Sequence, residues 1–316
     1  MKITEYGRLN RLNNDNVFLV DGPSGTKTIT KSDLMYDLFD GIPQMHNQIW
    51  RGKNLGTRVT QEQLNEIKNG TFHDLWLGDY WELKTSGSAY PGLNNNKFVI
   101  MDFDYFYNIN AFLNTINEHH VVIMPRNAFA DGVQIHSEDS LADTGLLNCD
   151  LIKTLFPKYQ VSLNNAFSSM GVPEIYEKHL LNIKTQMISN INYDARSVTV
   201  TKVDAKLMLP HVGNINSSIV SDALAFMDTP TQSNTLSFNK TRDNSDIYTK
   251  EFSASKYING WYKANGSNFA EFWTSSIAWF YSHDRKTTFN ATNGYTTLAS
   301  EGSSTVYSVI PYFCLK

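Results

Sequence analysis

The 316-residue sequence is poor in cysteine and in charge, and both shortages narrow the classes of protein that it can encode. Its two cysteines, Cys149 and Cys314, are too few for the disulfide framework of a small secreted domain. A single bridge between them and two buried free thiols both fit the sequence, and we expect the free thiols. Charged residues make up 18%, compared with roughly 25% in ordinary soluble domains. Most of the polarity must therefore come from neutral side chains.

The sequence also lacks a basic surplus, a leader segment and a long apolar run. With 27 basic and 31 acidic residues the net charge is −4, which gives no electrostatic footprint for nucleic acid. Residues 1–7 contain neither the apolar core nor the cleavage site of a signal peptide. The longest apolar runs, such as Val121–Met124, are far shorter than the ~20 residues of a membrane helix. We therefore expect a chain that folds in a cytoplasm and does not insert into a membrane.

Asparagine and aromatic residues are abundant, with 32 Asn and 13% Phe, Trp and Tyr. Asn, Ser and Thr side chains bond local backbone and favour turns and loops over helix interiors. This composition is typical of a loop-rich fold with aromatic anchors, and it does not suit a helical bundle. A chain of this length can also bury a core without metal or disulfides, and no zinc or calcium motif is present. We predict no metal site and no cofactor.

The N-terminal part has the pattern of a hairpin followed by helices. Two β-prone runs flank a Gly/Pro/Ser turn and predict a hairpin over residues 17–30, with a helix directly after it. Thr60 and Gln63 match a capping box and predict a short helix that ends near Gly70. Because this N-terminal segment is too small to form a hydrophobic core of its own, we assign residues 1–70 to an attachment and oligomerisation region.

Residues 71–316 are predicted to form one mixed α+β domain of short strands and long loops. Three strand-like segments come first, at residues 75–83, 98–106 and 121–124. Two apolar stripes at helical spacing follow, and they predict helices over 146–155 and 175–191. From residue 197 onward we expect short strands separated by polar loops.

A pair of aspartates is the best enzymatic lead, and two adjacent histidines are considered as ligands of one ion. Asp102 and Asp104, two apart on a predicted strand, would share a face about 6.5–7 Å apart, within the separation that an inverting glycosidase uses. Catalytic carboxylates must flank the substrate from opposite sides, however, so we expect turn-bonding or solvated carboxylates. His119 and His120 open the next strand, where they would point to opposite faces and could not bind one ion. We therefore expect one packed histidine, one solvated histidine and no enzyme activity.

An aromatic cluster near the C-terminus is the candidate binding site. Eight large aromatic residues fall between Trp261 and Tyr281, interleaved with Asn, Gly and Ser. Flat rings beside neutral hydrogen-bonding groups suit sugar rings or a protein interface, and core packing is the alternative for each ring. Because a strand over 272–281 cannot turn every ring inward, we expect some of them to be exposed. The candidate contacts are Trp261, Tyr262, Trp273, Trp279 and Tyr281.

Several motifs follow one another in an order that resembles a known family. They are Phe18–Thr28, Ile49–Gly56, Asn69–Trp81, Phe103–Phe106, His119–Pro125, Leu155–Tyr159 and the ending Val309–Leu315. In this order they resemble minor virion structural proteins of tailed bacteriophages that carry a C-type-lectin-like domain of unknown function. The resemblance implies a fold in which the last strand pairs beside the first and closes the domain.

The sequence departs from that family in ways that limit what the resemblance implies. Ile310 stands where the family has Arg, so an ion pair that would anchor the terminal strand is lost. The Glu-Pro-Asn and Trp-Asn-Asp motifs of true C-type lectins are absent, which argues against calcium-dependent sugar binding. The family offers no catalytic residues to transfer.

The resemblance implies a virion structural protein, such as a head fibre, a decoration protein or a tail-fibre component. Its partners would be other virion proteins of the capsid, neck or tail, together with sister subunits in a homo-oligomer such as a trimer. The C-terminal domain would contact host-surface glycans, with many copies raising a modest affinity. Two alternatives stay open: a purely architectural connector, neck or baseplate protein, and a cell-envelope glycan hydrolase that uses Asp102 and Asp104.

Overall fold

A computed structural model describes twelve stretches of the chain, and its helices and mostly antiparallel strands confirm the predicted α+β class. The described residues are 17–22, 25–30, 46–84, 93–108, 110–111, 114–134, 146–192, 197–210, 271–279, 284–290, 295–298 and 307–316. None of the helices within these stretches is long and apolar enough to cross a membrane.

Fifteen strands and three α-helices occur in these stretches. The strands are β1 (Val17–Gly22), β2 (Gly25–Thr30), β3 (Tyr80–Glu82), β4 (Lys97–Phe103), β5 (Asn110–Ala111), β6 (Asn114–Thr115), β7 (Val121–Pro125), β8 (Ala130–Val133), β9 (Ile183–Asn192), β10 (Ser197–Ala205), β11 (Glu271–Trp279), β12 (Asp284–Asn290), β13 (Tyr295–Leu298), β14 (Tyr307–Val309) and β15 (Phe313–Leu315). The helices are α1 (Gln61–Asn69), α2 (Phe156–Ser169) and α3 (Ile175–Lys178), and a π-helical turn, Leu151–Leu155, leads into α2.

The predicted N-terminal hairpin and capped helix are both present. β1 and β2 pair antiparallel, with Val17 opposite Thr30. Helix α1 begins after Thr60, whose side chain accepts the Gln63 N–H while the Gln63 side chain accepts the Thr60 N–H. It ends at Gly70, where a φ of 68° requires the left-handed conformation that glycine adopts without a steric penalty. The helix predicted directly after the hairpin lies outside the described residues.

A four-stranded antiparallel sheet in the order β15-β7-β4-β3 forms the centre of the larger unit. All five residues of β7 and six of the seven in β4 are buried, as expected of central strands covered on both faces. The β3 edge is extended by the preceding chain, since Trp50 and Asn54 form parallel bridges with Leu77 and Tyr80. On one face the ring of Phe167 in α2 lies 4.9 Å from Phe98.

The helix predicted over residues 175–191 is wrong beyond its first turn. Only α3 is helical, and β9 follows it and pairs antiparallel with β10. The apolar residues Ile183, Met187 and Ile191 are four apart, a spacing that places side chains on one side of a helix and also on one face of a strand. The β-branched residues of this segment favour the strand, because they fit a pleated surface better than a helix.

The described strands after residue 197 are of mixed length: β10 and β11 have nine residues and β12 has seven, longer than expected, whereas β13, β14 and β15 have three or four. The long polar loops expected between them lie outside the described residues. β13, β12, β11, β14 and β8 form a second sheet in that order, with β11 and β14 parallel. β15 joins the central sheet beside β7, and Leu180 and Met208 bridge to residues 315 and 312. Among the described strands of this unit β3 is the first, and it lies at the opposite end of the sheet, so β15 does not pair beside it. Cys149 and Cys314 are buried free thiols, as expected.

The core is continuous across the domain division that the sequence suggests. Val59, Leu64 and Ile67 are buried in the same hydrophobic cluster as the central sheet and α2. The Val59 N–H donates to the carbonyl of Met170, just after α2. Part of the segment assigned to attachment therefore contributes to the core of the larger unit, and the division at residue 70 stays a prediction.

Candidate functional site

The clearest cluster of titratable side chains in the described residues lies where β4 ends and β7 begins. β4 ends at Phe103, and Asp104 leaves the strand with a left-handed φ of 53°. Asp is one of the few residues with a side chain that adopts this conformation readily, because its carboxylate can bond locally. The Asp104 N–H donates to the His120 carbonyl at 2.9 Å, and Asp104 Oδ1 accepts the His120 N–H at 3.0 Å. The turn is thereby joined to the start of β7.

His119 is held against Asp104 on this turn. Its Nδ1 lies 2.7 Å from Asp104 Oδ2, and since a carboxylate only accepts, Nδ1 carries the proton. The imidazole stacks on Tyr107 with centroids 4.3 Å apart and planes 13° apart, and it meets the edge of Phe72. Behind it, a Cβ added to Gly70 would come within 2.6 Å of the ring. The His119 side chain stays 29% exposed.

His120 is fully buried and neutral. Its Nε2 accepts the Phe106 N–H at 3.1 Å, which leaves the proton on Nδ1, where it bonds to the Glu118 carbonyl at 2.9 Å. Burial lowers the pKa of His120 below its ordinary value, although the bond to Glu118 and the charge of Asp104 oppose the shift. The buried ring of His120 confirms the prediction of one packed histidine. His119 is only partly exposed, stacked on Tyr107 and bonded to Asp104, and not solvated as predicted.

The arrangement around His119 supplies one oriented imidazole. A histidine held at Nδ1 by a carboxylate presents Nε2 as its basic nitrogen, which is the geometry of many general bases. No serine, threonine or cysteine of the described residues is hydrogen-bonded to that ring. The described stretches also contain no group of three side chains able to hold a metal ion. The contacts of His119 and Asp104 hold the end of β4, the start of β7 and the end of α1 together.

Asp102 does not share an accessible face with Asp104. The side chain of Asp102 is fully buried in β4, whereas Asp104 lies beyond the end of the strand. The predicted arrangement of the two carboxylates assumed a strand that continues to Phe106, and the turn at Asp104 overturns it. The register instead places Asp102, Val122 and Cys314 in one row across β4, β7 and β15. Burial, with the nearby Asp102 charge, raises the pKa of the Cys314 thiol well above its ordinary value.

A second polar cluster joins the chain before α1 to the turn before β3. Arg51 Nε donates to both carboxylate oxygens of Asp79, at 3.0 and 3.1 Å, and the guanidinium also reaches Asp74. The N–H groups of Lys53 and Trp76 complete the shell of Asp79, each at 2.9 Å. Asp79 is fully buried and the Arg51 side chain is 8% exposed.

Burial and pairing oppose each other in this cluster, and at Asp79 burial prevails: its pKa is raised above the ordinary value, although Arg51, Lys53 and Trp76 lower it. Burial lowers the pKa of Arg51, but hydrogen bonds and charge from Asp79 and then from Asp74 outweigh it, so that the pKa is raised. Burial raises the pKa of Asp74, but Lys53 and Arg51 together hold it below its ordinary value. We infer that the cluster is a structural clamp, because its donors and acceptors are directed at one another.

The aromatic candidates of the sequence are only partly within the described residues. Trp261, Tyr262 and Tyr281 lie outside them. Trp273 and Trp279 lie in β11, whose backbone pairs with β12 and confirms the predicted strand. The exposure of all five rings stays a prediction.

The sequence patterns predicted neither the contact between Asp104 and His119 nor the contact between Arg51 and Asp79. A signal for the first pair existed, because two predicted strands that pair antiparallel with Phe103 opposite Val121 must place Asp104 beside the two histidines. No comparable signal existed for the second pair, because Arg51 lies 28 residues before Asp79 and outside the predicted strands, so that no predicted strand pairing brings it to residues 75–83.

No protein-family model, curated protein or solved structure matches the chain. Its function must therefore be argued from its own residues.

Proposed function

We propose that the chain is a structural protein of a tailed-bacteriophage particle that displays a C-type-lectin-like domain to the host cell surface. The observation that carries the proposal is the ordered series of phage-like motifs between Phe18 and Leu315. Their order along the chain is more specific than any single motif. The α+β fold is compatible with the domain that the resemblance implies.

The packing of the C-terminal segment supports this assignment. Every residue of Val309–Leu315 is buried, and the Leu181 N–H donates to the Cys314 carbonyl at 2.9 Å. Ile310, which replaces an arginine of the family, is fully buried in the core. The ion pair between Lys316 Nζ and Glu118, 2.6 Å long, fastens the end of the strand instead. An ending that closes the core is what the resemblance implies, although its sheet neighbour is β7.

In this proposal the aromatic cluster makes the contacts with host glycans. β11 carries Trp273 and Trp279 and has a neighbouring strand on each side, β12 and β14, so its backbone is held in place. Individual ring–sugar contacts are weak, but many copies on one particle can multiply the affinity by ~10²–10⁴. A structural protein of high copy number therefore needs no deep binding pocket.

The virion role is tested by locating the chain in purified particles. Mass spectrometry should detect it in particles that have been washed and banded, and antibody labelling should mark one fixed position on the imaged capsid, neck or tail. Absence of the chain from such particles would reject the virion role.

The binding role is tested separately with the assembled oligomer. We expect Trp273→Ala and Trp279→Ala to reduce binding on a host-glycan array and to reduce host-cell adsorption by at least tenfold when several sites act together. Val161→Ala, at an exposed position of α2, is the control and should bind normally. Wild-type silence on the array together with unchanged adsorption would reject the adhesin role and favour the architectural connector. Glycan cleavage that the Asp102→Asn, Asp104→Asn variant loses would favour the hydrolase.

A further inference from the structure

The imidazole of His119 is covered on both faces and open along its rim. Tyr107 stacks on one face. Gly70 lies over the other, because a Cβ added to it would stand 2.6 Å from Cγ, Nδ1 and Cε1 of the ring alike. Nδ1 is bonded to the Asp104 carboxylate. The 29% of the side chain that is exposed therefore lies along the remaining rim, which carries the second ring nitrogen, Nε2.

The backbone around this ring is held in conformations that few residues adopt. Of the five non-glycine residues with a left-handed φ in the described stretches, Phe72 and Asp104 contact the ring, and Asn108 follows the stacked tyrosine. A φ of 49° at a residue as bulky as Phe72 is a genuine outlier. Strain of this kind clusters at active sites and ligand clamps, where the surrounding structure holds it. The pattern favours a functional role for the ring that it surrounds.

His179 offers a comparison within the same chain. Both histidines are half-buried. Burial, Lys178 and Lys316 together lower the pKa of His179. A positive charge that develops on His119 is paired by the Asp104 carboxylate, whereas the same charge on His179 is repelled by two ammonium groups. A reaction that passes through a cationic ring is therefore favoured at His119.

We propose that His119 is a nucleophile for acyl transfer, which takes the acyl group of an ester or thioester onto Nε2 and passes it to water, with Asp104 as its positioning residue. The proposal uses none of the candidate glycan contacts, so it goes beyond the proposed function and does not depend on it.

The reaction has two steps. The proton on Nδ1 leaves an electron pair on Nε2, which bonds to the carbonyl carbon while the bond to the alcohol or thiol oxygen or sulfur breaks. The ring is then an acylimidazolium cation, whose Nδ1–H lies against the Asp104 carboxylate 2.7 Å away. Water next adds to the acyl carbon, the C–N bond breaks, the electron pair returns to Nε2, and the acid leaves and gives its proton to solvent.

The same protonation state selects the class of ester. A neutral ring with its proton on Nδ1 has none on Nε2 to give to a departing alkoxide. The first step therefore suits substrates whose leaving group is a stable anion, such as phenyl esters and thioesters.

The site is tested by labelling the full-length chain with diethyl pyrocarbonate, which transfers an ethoxycarbonyl group to an unprotonated imidazole nitrogen. We expect His119 to react at least about tenfold faster than His179, as mass spectrometry of the peptides resolves. Asp104→Asn should slow labelling of His119 by a similar factor and leave that of His179 unchanged, because Asn keeps the left-handed turn but lacks the charge. Glu62→Gln, which removes an exposed carboxylate of α1, is the control and should change neither rate.

Turnover is tested with 4-nitrophenyl acetate at about pH 8, above the ordinary pKa of imidazole. The protein-dependent release of 4-nitrophenolate should fall at least about tenfold in His119→Gln and should stay at the wild-type rate in His179→Gln. Labelling of His179 as fast as that of His119, equal slowing of both in Asp104→Asn, or hydrolysis that His119→Gln leaves unchanged would each overturn the proposal. Circular dichroism separates a lost nucleophile from a lost fold, and the comparison of the two histidines in the wild type needs no variant.

Discussion

Two asparagine side chains pair with backbone groups at the two ends of β4. Asn96 Oδ1 accepts the N–H groups of Lys97 and Asn127, and its Nδ2 donates to the Asn127 carbonyl at 2.9 Å. The Asn47 amide pairs with both the N–H and the carbonyl of Phe103, as a neighbouring strand residue would. Buried backbone groups must be paired, and a side-chain amide can supply a donor and an acceptor at once. These contacts give a physical reason for an Asn-rich sequence.

His120 is the residue whose protonation should matter most for folding. Both of its ring nitrogens are committed to backbone groups, and protonating Nε2 would place a donor against the Phe106 N–H. Its pKa is lowered in the folded protein by burial, whereas the unfolded chain has the ordinary value of about 6.5. The unfolded chain therefore binds a proton at His120 that the folded protein does not bind. Unfolding is favoured as the pH falls below about 6.5 for this reason.

We predict that the free energy of unfolding falls as the pH is lowered from about 6.5 to 5, by up to about 1.4 kcal/mol per pH unit from His120 alone. His120→Gln should be less stable at neutral pH but should show a shallower pH dependence. His179→Gln is the comparison, because the pKa of His179 is also lowered, by burial and by Lys178 and Lys316, at a partly exposed position. Urea unfolding at several pH values measures all three, and equal slopes in wild type and His120→Gln would contradict the prediction.

The elements differ in how well local sequence specifies them. The capping box of α1 was predictable because Thr60, Gln63 and Gly70 act within a single helix. β9 was not, because an apolar spacing of four fits both a helix and a strand, and the pairing with β10 decides between them. The clamp between Arg51 and Asp79 depends on where two distant segments meet, which no local pattern encodes.

That clamp holds the chain before α1 in place beside residues 77–80, to which two isolated parallel bridges join it. The Arg51 N–H donates to the Leu77 carbonyl and the Leu55 N–H to the Tyr80 carbonyl, each at 2.9 Å. The Trp50 ring lies so close to Gly78 that an added Cβ would come within 2.5 Å of it. The buried ion pair fixes the register of this segment.

We predict that Arg51→Met lowers the free energy of unfolding by about 3–5 kcal/mol, because it leaves the Asp79 carboxylate buried without its cation. The matched control is Lys84→Met, which removes an exposed cation 3.6 Å from Glu82 and should cost at most about 1 kcal/mol. Equilibrium urea unfolding measures both variants. Equal losses of unfolding free energy would show that the buried ion pair of Arg51 and Asp79 contributes no more to stability than the exposed pair.

At the scale of the whole molecule, α1, the central sheet and α2 share one hydrophobic core. Composition and motifs correctly predicted the mixed class of fold, because short apolar runs between turn residues leave few alternatives. They suggested a division at residue 70, however, because the N-terminal part alone cannot form a core. That argument does not show which apolar residues of the N-terminal part pack into the core of the larger unit.

The two buried thiols make it possible to test whether that core unfolds as one cooperative unit. Cys149 lies just before the π-helical turn and Cys314 lies in β15, and both are fully buried, so each should react with an alkylating reagent only after local or global opening. Ile67 in α1 is also fully buried, and Ile→Ala in a core costs about 2–5 kcal/mol. If α1 belongs to the same cooperative unit, Ile67→Ala should speed labelling of both thiols by about 30-fold to several thousand-fold. Val161→Ala, at an exposed position of α2, should change neither rate appreciably. Mass spectrometry resolves the two sites, and unchanged rates in Ile67→Ala would mean that α1 unfolds separately from the domain on which it packs.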